Sequence, residues 1–297
     1  MITSQEQFQP HIPVMLSEVL NYLNLQPGGI YMDGTVGAGG HSIQILNNLS
    51  SNGRLIGLDQ DAEAVDISIN RFGASTHSFS THKSSYHNFP KIIQALGVAE
   101  LNGILLDLGL SSMQLESDSR GFSFESEGAL DMRYDTDNGK TAADLIAQST
   151  EQELADIIYK YGEERYSRRI ASNIKAIQPL TKVTDLKEAV RRSTPPQKRH
   201  KTLARVFQAL RIAVNGELVK LEAFLDSFAN HLTLGGRVVI ISYHSLEDRM
   251  VKHTFRALKK AGMLKVLTKK PITPTEYEIA QNGRSRSAKL RAAEKVT

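Results

Sequence analysis

Residues 30–41 read Ile-Tyr-Met-Asp-Gly-Thr-Val-Gly-Ala-Gly-Gly-His, a short apolar run that ends in an acid and continues into a glycine-rich segment. The apolar run predicts a buried β-strand, and the glycines predict a sharp turn into a following helix. Open α/β sheets bind their ligands at the carboxyl ends of the strands, which is where this loop would lie. The segment therefore predicts the first strand, loop and helix of an α/β domain.

The same alternation continues along the chain. Apolar runs at residues 54–59, 77–82 and 103–108 predict three further strands, and amphipathic stretches at 62–71 and 91–96 predict helices between them. The last of these strands is apolar at consecutive positions, as a strand covered on both faces requires. Alternating strands and helices predict a parallel sheet.

The alternation stops at Asp107, and the next predicted strand is residues 237–242. The span between them is far longer than the dozen or so residues that a crossover needs. Most of it reads as helical. Thr150 and Glu153 have the spacing of a capping box, and apolar residues at steps of three and four between 203 and 228 predict a long helix in which Gly216 is a point of interruption.

We therefore predict an α/β fold in two domains. Residues 1–114 and 206–297 form a Rossmann-like domain, and residues 115–205 form an inserted, mostly helical domain. The two parts also differ in charge. The net charge is +4, yet residues 1–150 contain 7 Lys/Arg and 17 Asp/Glu, whereas residues 151–297 contain 29 and 15.

Two runs of the chain are basic and contain no acid. Residues 191–211 carry seven Lys/Arg and residues 249–270 carry eight. Such runs are typical of surfaces that contact nucleic-acid phosphates, although they also occur on solvated helix faces. The candidates for RNA binding in the first run are Arg191, Arg192, Lys198, Arg199 and Lys201.

The composition excludes several classes of chemistry. The chain has 0 Cys, so it has no disulfide, no Cys-ligated metal or cluster and no thiol nucleophile. Its nine histidines show no paired ligand spacing, so we predict no metal site; only His244, after the last predicted strand, is placed where it could face a site. No apolar run approaches the roughly 18 residues of a membrane span. We expect a cytoplasmic protein with no membrane partner.

Three signals lie at predicted strand ends. The glycine loop does not fit the dinucleotide fingerprint and is closer to the D-x-G-x-G-x-G loop of S-adenosylmethionine-dependent methyltransferases, with Thr35 in place of the first glycine. Asp59 follows Gly39 by 20 residues and could accept hydrogen bonds from ribose hydroxyls. A helix-capping role for Asp59 and the use of nearby Asp61 instead are the alternatives.

The third signal is Asp107-Leu-Gly-Leu-Ser-Ser112. Amino-methyltransferases have a short loop here whose acceptors hold the target amine, so Asp107 and Ser111 are the candidate catalytic residues; a simple polar turn is the alternative. Methylation of pyrimidine carbon 5 ordinarily needs a thiolate, which this chain lacks. Direct transfer to nitrogen or oxygen remains.

Nine sequence blocks together resemble one family, the RsmH (MraW) family of bacterial small-subunit ribosomal RNA cytosine-N4 methyltransferases. They run in order along essentially the whole chain. The blocks are His11-Ile-Pro-Val-Met15, Asp33-Gly-Thr-Val-Gly-Ala-Gly-Gly-His-Ser42, Gly103-Ile-Leu-Leu-Asp-Leu-Gly-Leu-Ser-Ser112, Arg120-Gly-Phe-Ser-Phe124, Leu130-Asp-Met-Arg133, Tyr161-Gly-Glu-Glu-Arg165, Phe207-Gln-Ala-Leu-Arg-Ile212, Ser242-Tyr-His-Ser-Leu-Glu-Asp-Arg249 and Arg284-Ser-Arg-Ser287.

The resemblance implies an α/β, Rossmann-like S-adenosylmethionine-dependent methyltransferase sheet and methylation of a cytidine N4 in the decoding region of small-subunit (16S) ribosomal RNA. It implies a substrate-recognition role for the inserted domain and a 30S-like particle as partner, and it leaves a homodimer open. By position, the implied cofactor contacts are Gly39, Gly40, His41, Asp59, Tyr86, Asp107 and Gln114. The alternatives are a DNA amino-methyltransferase and a non-catalytic RNA-binding protein with a nucleoside pocket.

Overall fold

The structure, a computed structural model, describes residues 13–72, 78–177 and 179–297 and divides into two compact units. The first unit comprises the described residues up to Gly109 together with Glu222–Thr297, and the second unit is Leu110–Leu221. The second unit extends beyond the predicted 115–205 at both ends. The predictions that concern His11 and His77 lie outside the described residues.

One mixed sheet of seven strands lies in the described part of the first unit. The strands are β1 (Ile30–Asp33), β2 (Arg54–Asp59), β3 (Ser78–Lys83), β4 (Leu101–Asp107), β5 (Leu232–Ser242), β6 (Leu264–Val266) and β7 (Lys289–Lys295). Their order is β3-β2-β1-β4-β5-β7-β6. Strands β1 to β5 pair with one another in parallel, and β7 pairs antiparallel with β5 and β6. The order 3-2-1-4-5 is that of a Rossmann-like sheet, and the predicted α/β class is confirmed.

Thirteen α-helices occur in the described residues. They are α1 (Leu16–Leu23), α2 (Gly40–Asn47), α3 (Ala62–Phe72), α4 (Phe89–Ala95), α5 (Ser112–Glu116), α6 (Ala142–Gln148), α7 (Glu151–Gly162), α8 (Ser167–Ala176), α9 (Val183–Ser193), α10 (Arg199–Asn215), α11 (Glu217–Ser227), α12 (Ser245–Lys260) and α13 (Glu276–Gln281). No helix in these ranges combines the length and hydropathy that a membrane span requires.

The core of the first unit lies around the central strands. Ile104, Leu105 and Leu106 of β4 are fully buried, which confirms the consecutive apolar pattern. Residues of α1 and α2 join β1, β2, β4, β5 and β7 in one apolar cluster. Removal of this surface from water stabilises the sheet whose strand ends carry the candidate site.

The second unit has an apolar core of its own, built mainly by α6 to α10. Helix α10 packs against α7, which is why residues after 205 belong to this unit. The predicted capping box is present: Thr150 Oγ1 accepts the Glu153 N–H at 3.2 Å, and Glu153 Oε2 accepts the Thr150 N–H at 2.8 Å. The predicted long helix is interrupted at Gly216, which has φ 60° and separates α10 from α11.

The second unit also contains a long irregular segment, residues 117–141, between α5 and α6. Arg120 stabilises it, because its Nη2 donates to the Arg133 carbonyl at 3.0 Å and to the Tyr134 carbonyl at 3.1 Å. Ala129 forms an isolated bridge with Lys182. The predicted helical character therefore applies to the rest of the unit and not to this segment.

Candidate functional site

Three aspartates lie at the carboxyl ends of adjacent parallel strands. Asp33 ends β1, Asp59 ends β2 and Asp107 ends β4. Asp33 is buried and serves the loop itself, since its carboxylate accepts Ser42 Oγ–H at 2.6 Å and the Thr35 N–H at 3.1 Å. Burial raises the pKa of Asp33. This acid fixes the glycine loop against the first turn of α2.

Asp59 is oriented by two backbone amides. Its Oδ2 accepts the Gly37 N–H at 2.8 Å and its Oδ1 accepts the Asp61 N–H at 2.9 Å. Desolvation by its surroundings raises the pKa of Asp59 to about 6, although these hydrogen bonds oppose the rise. Asp59 is half-buried as a residue, whereas Asp61 is only 3% exposed and accepts the Glu63 N–H at 3.2 Å in the first turn of α3. Of the two acids, Asp59 is the one that a ligand can reach.

Gly39 and Gly40 begin α2 directly after the loop. Gly39 has φ +77°, and a Cβ there would lie 2.5 Å from the Phe72 ring. A Cβ on Gly40 would lie 2.8 Å from Pro13. Close packing within the protein therefore accounts for both glycines locally, and their predicted contact with a cofactor stays a prediction.

His41 links the loop to the end of β4. Its ring is buried, with Nε2 at 2.9 Å from the Val14 carbonyl and Nδ1 at 3.8 Å from Asp107 Oδ2. The Val14 carbonyl is an acceptor, so Nε2 carries a proton. The ring thus packs beside the Asp107 carboxylate.

Asp107 is fixed at both its backbone and its side chain. Its N–H donates to Thr35 Oγ1 at 2.7 Å, and its Oδ1 accepts the Gly109 N–H at 3.3 Å. Burial raises the pKa of Asp107, while His41 and a hydrogen bond from the Tyr243 hydroxyl lower it. The carboxylate has more than one donor before any substrate arrives.

Tyr243 was not among the site residues predicted from the sequence. Its ring lies against Gly109, where a Cβ would be 2.7 Å from Tyr243 Cε2. Burial and the neighbouring Asp107 carboxylate raise the pKa of Tyr243 well above its usual value. Its position directly after β5, beside β4, is the signal that could have revealed it.

His244 is used differently from what its position suggested. It is the N-cap of α12, where Nδ1 accepts the Glu247 N–H at 3.4 Å and Glu247 Oε2 accepts the His244 N–H at 3.3 Å. The histidine therefore serves the start of the helix.

Tyr86 follows β3 in a short 3₁₀ helix, Tyr86–Asn88. The ring is buried and meets Phe224 edge-on, with centroids 5.9 Å apart and planes at 86°. A Cβ on Gly34 would lie 3.0 Å from Tyr86 Cβ, so the tyrosine sits beside the glycine loop. The structure therefore places Tyr86 beside the loop that leads to Gly39, Gly40 and His41.

Ser111 and Gln114 belong to the second unit and form a capping box on α5. Ser111 Oγ accepts the Gln114 N–H at 3.2 Å, and Gln114 Oε1 accepts the Ser111 N–H at 3.1 Å. This arrangement gives both side chains a local role. The catalytic role of Ser111 and the cofactor role of Gln114 stay predictions.

Two of the five predicted RNA contacts share one acid. Arg191 and Arg192 at the end of α9 lie 2.6 Å and 2.9 Å from the carboxylate of Glu188. The sequence run without acids begins just after this glutamate. Arg191 and Arg192 follow Glu188 by three and four residues, and this helical spacing could have predicted the two ion pairs.

The other three predicted contacts also lie in the second unit. Lys198 Nζ is 5.5 Å from the centre of the Tyr166 ring and 3.2 Å from its hydroxyl. Arg199 Nε donates to the Thr194 carbonyl at 3.3 Å, and Lys201 is exposed on the first turn of α10. Their role in RNA binding stays a prediction.

Comparison with known proteins places the whole chain in one family. The ribosomal RNA small subunit methyltransferase H of Carboxydothermus hydrogenoformans is 44% identical over 307 residues, which covers 97% of this chain and 98% of that protein. The protein of the same name from Trichormus variabilis is 47% identical over 300 residues, 99% of this chain and 94% of the relative. A crystal structure from Clostridium thermocellum, named for an rRNA-methylase, superposes with a TM-score of 0.51 at 12% identity over 96% of this chain and 100% of that one, which shows a shared fold. The family model described as the MraW methylase family matches residues 8–296, and the chain belongs to this family.

Proposed function

We propose that this methylase transfers a methyl group from S-adenosylmethionine to the exocyclic N4 of a cytidine in the decoding region of small-subunit ribosomal RNA. The names of its relatives support the ribosomal RNA substrate. The single structural observation that carries the proposal is the placement of Asp59 and Asp107 at the carboxyl ends of the parallel strands β2 and β4, on either side of β1 and its Asp33 loop.

The residues at this edge fit the adenosyl group of the cofactor. Each oxygen of Asp59 accepts one backbone N–H and retains acceptor capacity for a ribose hydroxyl. Tyr86 lies beside the glycine loop, and we assign its ring to packing near adenine. Three carboxylates at adjacent strand ends create a negative potential that suits a cationic ligand. When bound, S-adenosylmethionine supplies an electrophilic methyl group on a sulfonium.

Asp107 is the proposed acceptor for the target amine. An exocyclic amine conjugated to a pyrimidine is a poor nucleophile until its N–H groups are polarised and its nitrogen is aligned. Gly109 and Tyr243 fix the carboxylate in place, so it orients the amine without rearranging. The proton lost from nitrogen passes to water, because methylation makes it acidic. The cytidine must be turned out of any stack to reach this edge.

The proposal includes the remaining predicted contacts. Gly39, Gly40 and His41 are assigned to the cofactor with Gln114, and Ser111 is assigned to the base edge. Lys198, Arg199 and Lys201 are assigned to RNA phosphates with Arg191 and Arg192. We place the reaction on a 30S-like particle in the cytoplasm, and a homodimer is compatible with it.

One experiment separates this function from its rivals. The protein is incubated with methyl-labelled S-adenosylmethionine and with free small-subunit RNA, assembled small subunits from cells that lack the activity, or DNA, and the products are digested to nucleosides. Labelled N4-methylcytidine from RNA is expected. Label in DNA alone would establish the DNA amino-methyltransferase, and cofactor binding without label in any substrate would establish a non-catalytic protein.

A further inference from the structure

Helix α12 of the first unit has two faces of opposite chemistry. Val251 and Phe255 are 0% and 1% exposed, and the helix packs on strands β5, β6 and β7. Lys252, Arg256 and Lys259 are spaced by four and three residues, so they share one face, which lies about 90° around the helix axis from Val251 and Phe255. The apolar face is part of the protein core, whereas Arg256 and Lys259 are exposed and Lys252 is half-buried.

The basic face continues beyond the helix. Lys260 ends α12, and Lys265, Lys269 and Lys270 are exposed in and after β6. We name these four residues, together with Lys252, Arg256 and Lys259, the α12 ridge. Residues 252–270 contain no acid. The helical part alone extends over roughly 12 Å at 1.5 Å per residue.

The α12 ridge differs from the other basic run in its ion pairs. Within the described ranges, no ion pair involves any of its seven residues. In the run at 191–211, by contrast, four arginines contact acids. The pairs are Arg191 and Arg192 with Glu188, Arg205 with Glu164, and Arg211 with Glu217. A carboxylate beside an arginine weakens the attraction of that arginine for a phosphate. The α12 ridge, which has no such ion pairs, therefore attracts phosphates more strongly.

We propose that the α12 ridge binds backbone phosphates of the RNA substrate and supplies the larger share of the salt-dependent affinity. The inference rests on the proposed function, because that function provides the RNA. An anionic membrane has the same charge chemistry, but a membrane-surface helix inserts its apolar face, and the apolar face of α12 is buried in the core. The RNA backbone is therefore the partner that the surface fits.

The test compares two matched quadruple variants. The first carries Lys252→Gln, Arg256→Gln, Lys259→Gln and Lys260→Gln. The second carries Arg191→Gln, Arg192→Gln, Lys198→Gln and Lys201→Gln. Binding of a labelled decoding-region RNA fragment is measured from 50 to 300 mM KCl. Each lost phosphate contact lowers the slope of log affinity against log salt by about 0.7–0.9.

We expect the α12 variant to lose about three units of slope and the second variant to lose about one and a half, because Arg191 and Arg192 already contact Glu188. Calorimetric affinity for S-adenosylmethionine should stay the same in both, which shows that each fold is intact. A charge-preserving variant with Lys252→Arg, Lys259→Arg and Lys260→Arg should keep the wild-type slope.

Three results would contradict the proposal that the α12 ridge binds RNA phosphates. They are an unchanged slope in the α12 variant, a larger loss in the second variant, and binding of the wild type to phosphatidylglycerol vesicles that the α12 substitutions abolish without affecting RNA. Failure of the proposed function looks different, because the wild type would then leave all RNA unmethylated. If the wild type methylates RNA and the α12 variant keeps the wild-type salt slope, the α12 ridge proposal is wrong and the proposed function stands.

Discussion

The Asp59 carboxylate accepts the backbone N–H of Gly37 at 2.8 Å. Gly37 belongs to the loop after β1 and Asp59 ends β2, so one hydrogen bond joins two neighbouring strand ends. A ligand that binds Asp59 meets a carboxylate whose orientation is set in advance, which lowers the entropy lost on binding.

Replacement of Asp59 should weaken the binding of S-adenosylmethionine. Asp59→Ala removes the proposed acceptor for the ribose hydroxyls, and hydrogen bonds to charged groups contribute roughly 1.5–3 kcal/mol each. We expect at least about a tenfold loss of S-adenosylmethionine affinity by calorimetry. Asp61→Ala is the matched control, since it alters the first turn of α3 and should affect stability more than affinity. The opposite pattern would transfer the ribose assignment to Asp61.

The pKa of Asp59 predicts a pH dependence. Ionised Asp59 is the better acceptor, and its pKa is raised to about 6. S-adenosylmethionine affinity should therefore fall about tenfold from pH 7.5 to pH 5, and Asp59→Asn should flatten this profile. Calorimetry across the range checks it. An equally steep profile in the variant would assign the titration to another group.

The same shift has a stability consequence for the unliganded protein. The folded-state pKa lies above the unfolded value of 3.8, so the protonated acid is the form that folding favours. This contribution is complete below about pH 4 and is lost as the pH rises through about 6. The free energy of unfolding of the wild type, relative to Asp59→Asn, should decrease over that window in urea titrations.

Removal of the Tyr243 hydroxyl should change the chemistry with little change in fold. Tyr243→Phe keeps the ring against Gly109 but removes the hydrogen bond that lowers the pKa of Asp107. We expect a lower kcat, and an acidic limb of the pH–rate profile that moves to higher pH. Gly109→Ala is the complementary variant, because its Cβ would displace the ring. A Tyr243→Phe enzyme with the wild-type profile would remove the hydroxyl from the mechanism.

Alanine substitutions at Gly39 and Gly97 distinguish the cost of backbone strain from the cost of a steric clash. Both have positive φ, +77° and +68°, but a Cβ meets Phe72 at 2.5 Å on Gly39 and meets nothing within 4 Å on Gly97. Gly97→Ala should cost roughly 1–2 kcal/mol of unfolding free energy from strain alone. Gly39→Ala should cost about 1–3 kcal/mol more, because the ring must move. Equal losses of unfolding free energy in urea titrations would show that the Phe72 ring moves away from the new Cβ at no cost.

Ser111 can be tested against a second residue with the same capping chemistry. Ser111→Ala and Thr150→Ala each remove the side-chain acceptor of a capping box, at a cost of about 1 kcal/mol. We expect only Ser111→Ala to reduce the rate of methyl transfer at equal folded fraction. Parallel stability and initial-rate measurements compare them. Equal rates of methyl transfer in the two variants would show that Ser111 acts only as a helix cap.

The parallel strands were predictable because burial on both faces imposes a continuous apolar run. The bounds of β1 and β2 match the predicted ranges, and β5 begins earlier than predicted, at Leu232. Strand β7 escaped prediction since its sequence, KLRAAEK, carries four charges. Three of them are compensated by distant partners: Arg291 lies 2.7 Å from Asp248, Glu294 lies 2.8 Å from Arg237, and Lys295 lies 3.6 Å from Glu100. Such pairs exist only after folding.

The site was predictable to a similar extent and for a similar reason. Asp59 and Asp107 end apolar runs, so their place at the sheet edge follows from the sequence. Tyr243 was not predicted because its contact with Asp107 depends on the adjacency of β4 and β5, two strands far apart in the chain. The ion pairs of Arg191 and Arg192 were not predicted because their partner, Glu188, precedes the acid-free run at 191–211.

The position of β7 between β5 and β6 also constrains the order of folding. The second unit is one continuous segment, Leu110–Leu221, and its contacts can form as soon as that segment has left the ribosome. Strand β5 cannot gain its second neighbour until residues 289–295 are synthesised. Until then its apolar residues Val238–Ile241 lie on an open edge. The nascent methylase therefore passes through a stage in which its helical unit is complete and its sheet is prone to aggregate, and truncation before Lys289 would make that stage permanent.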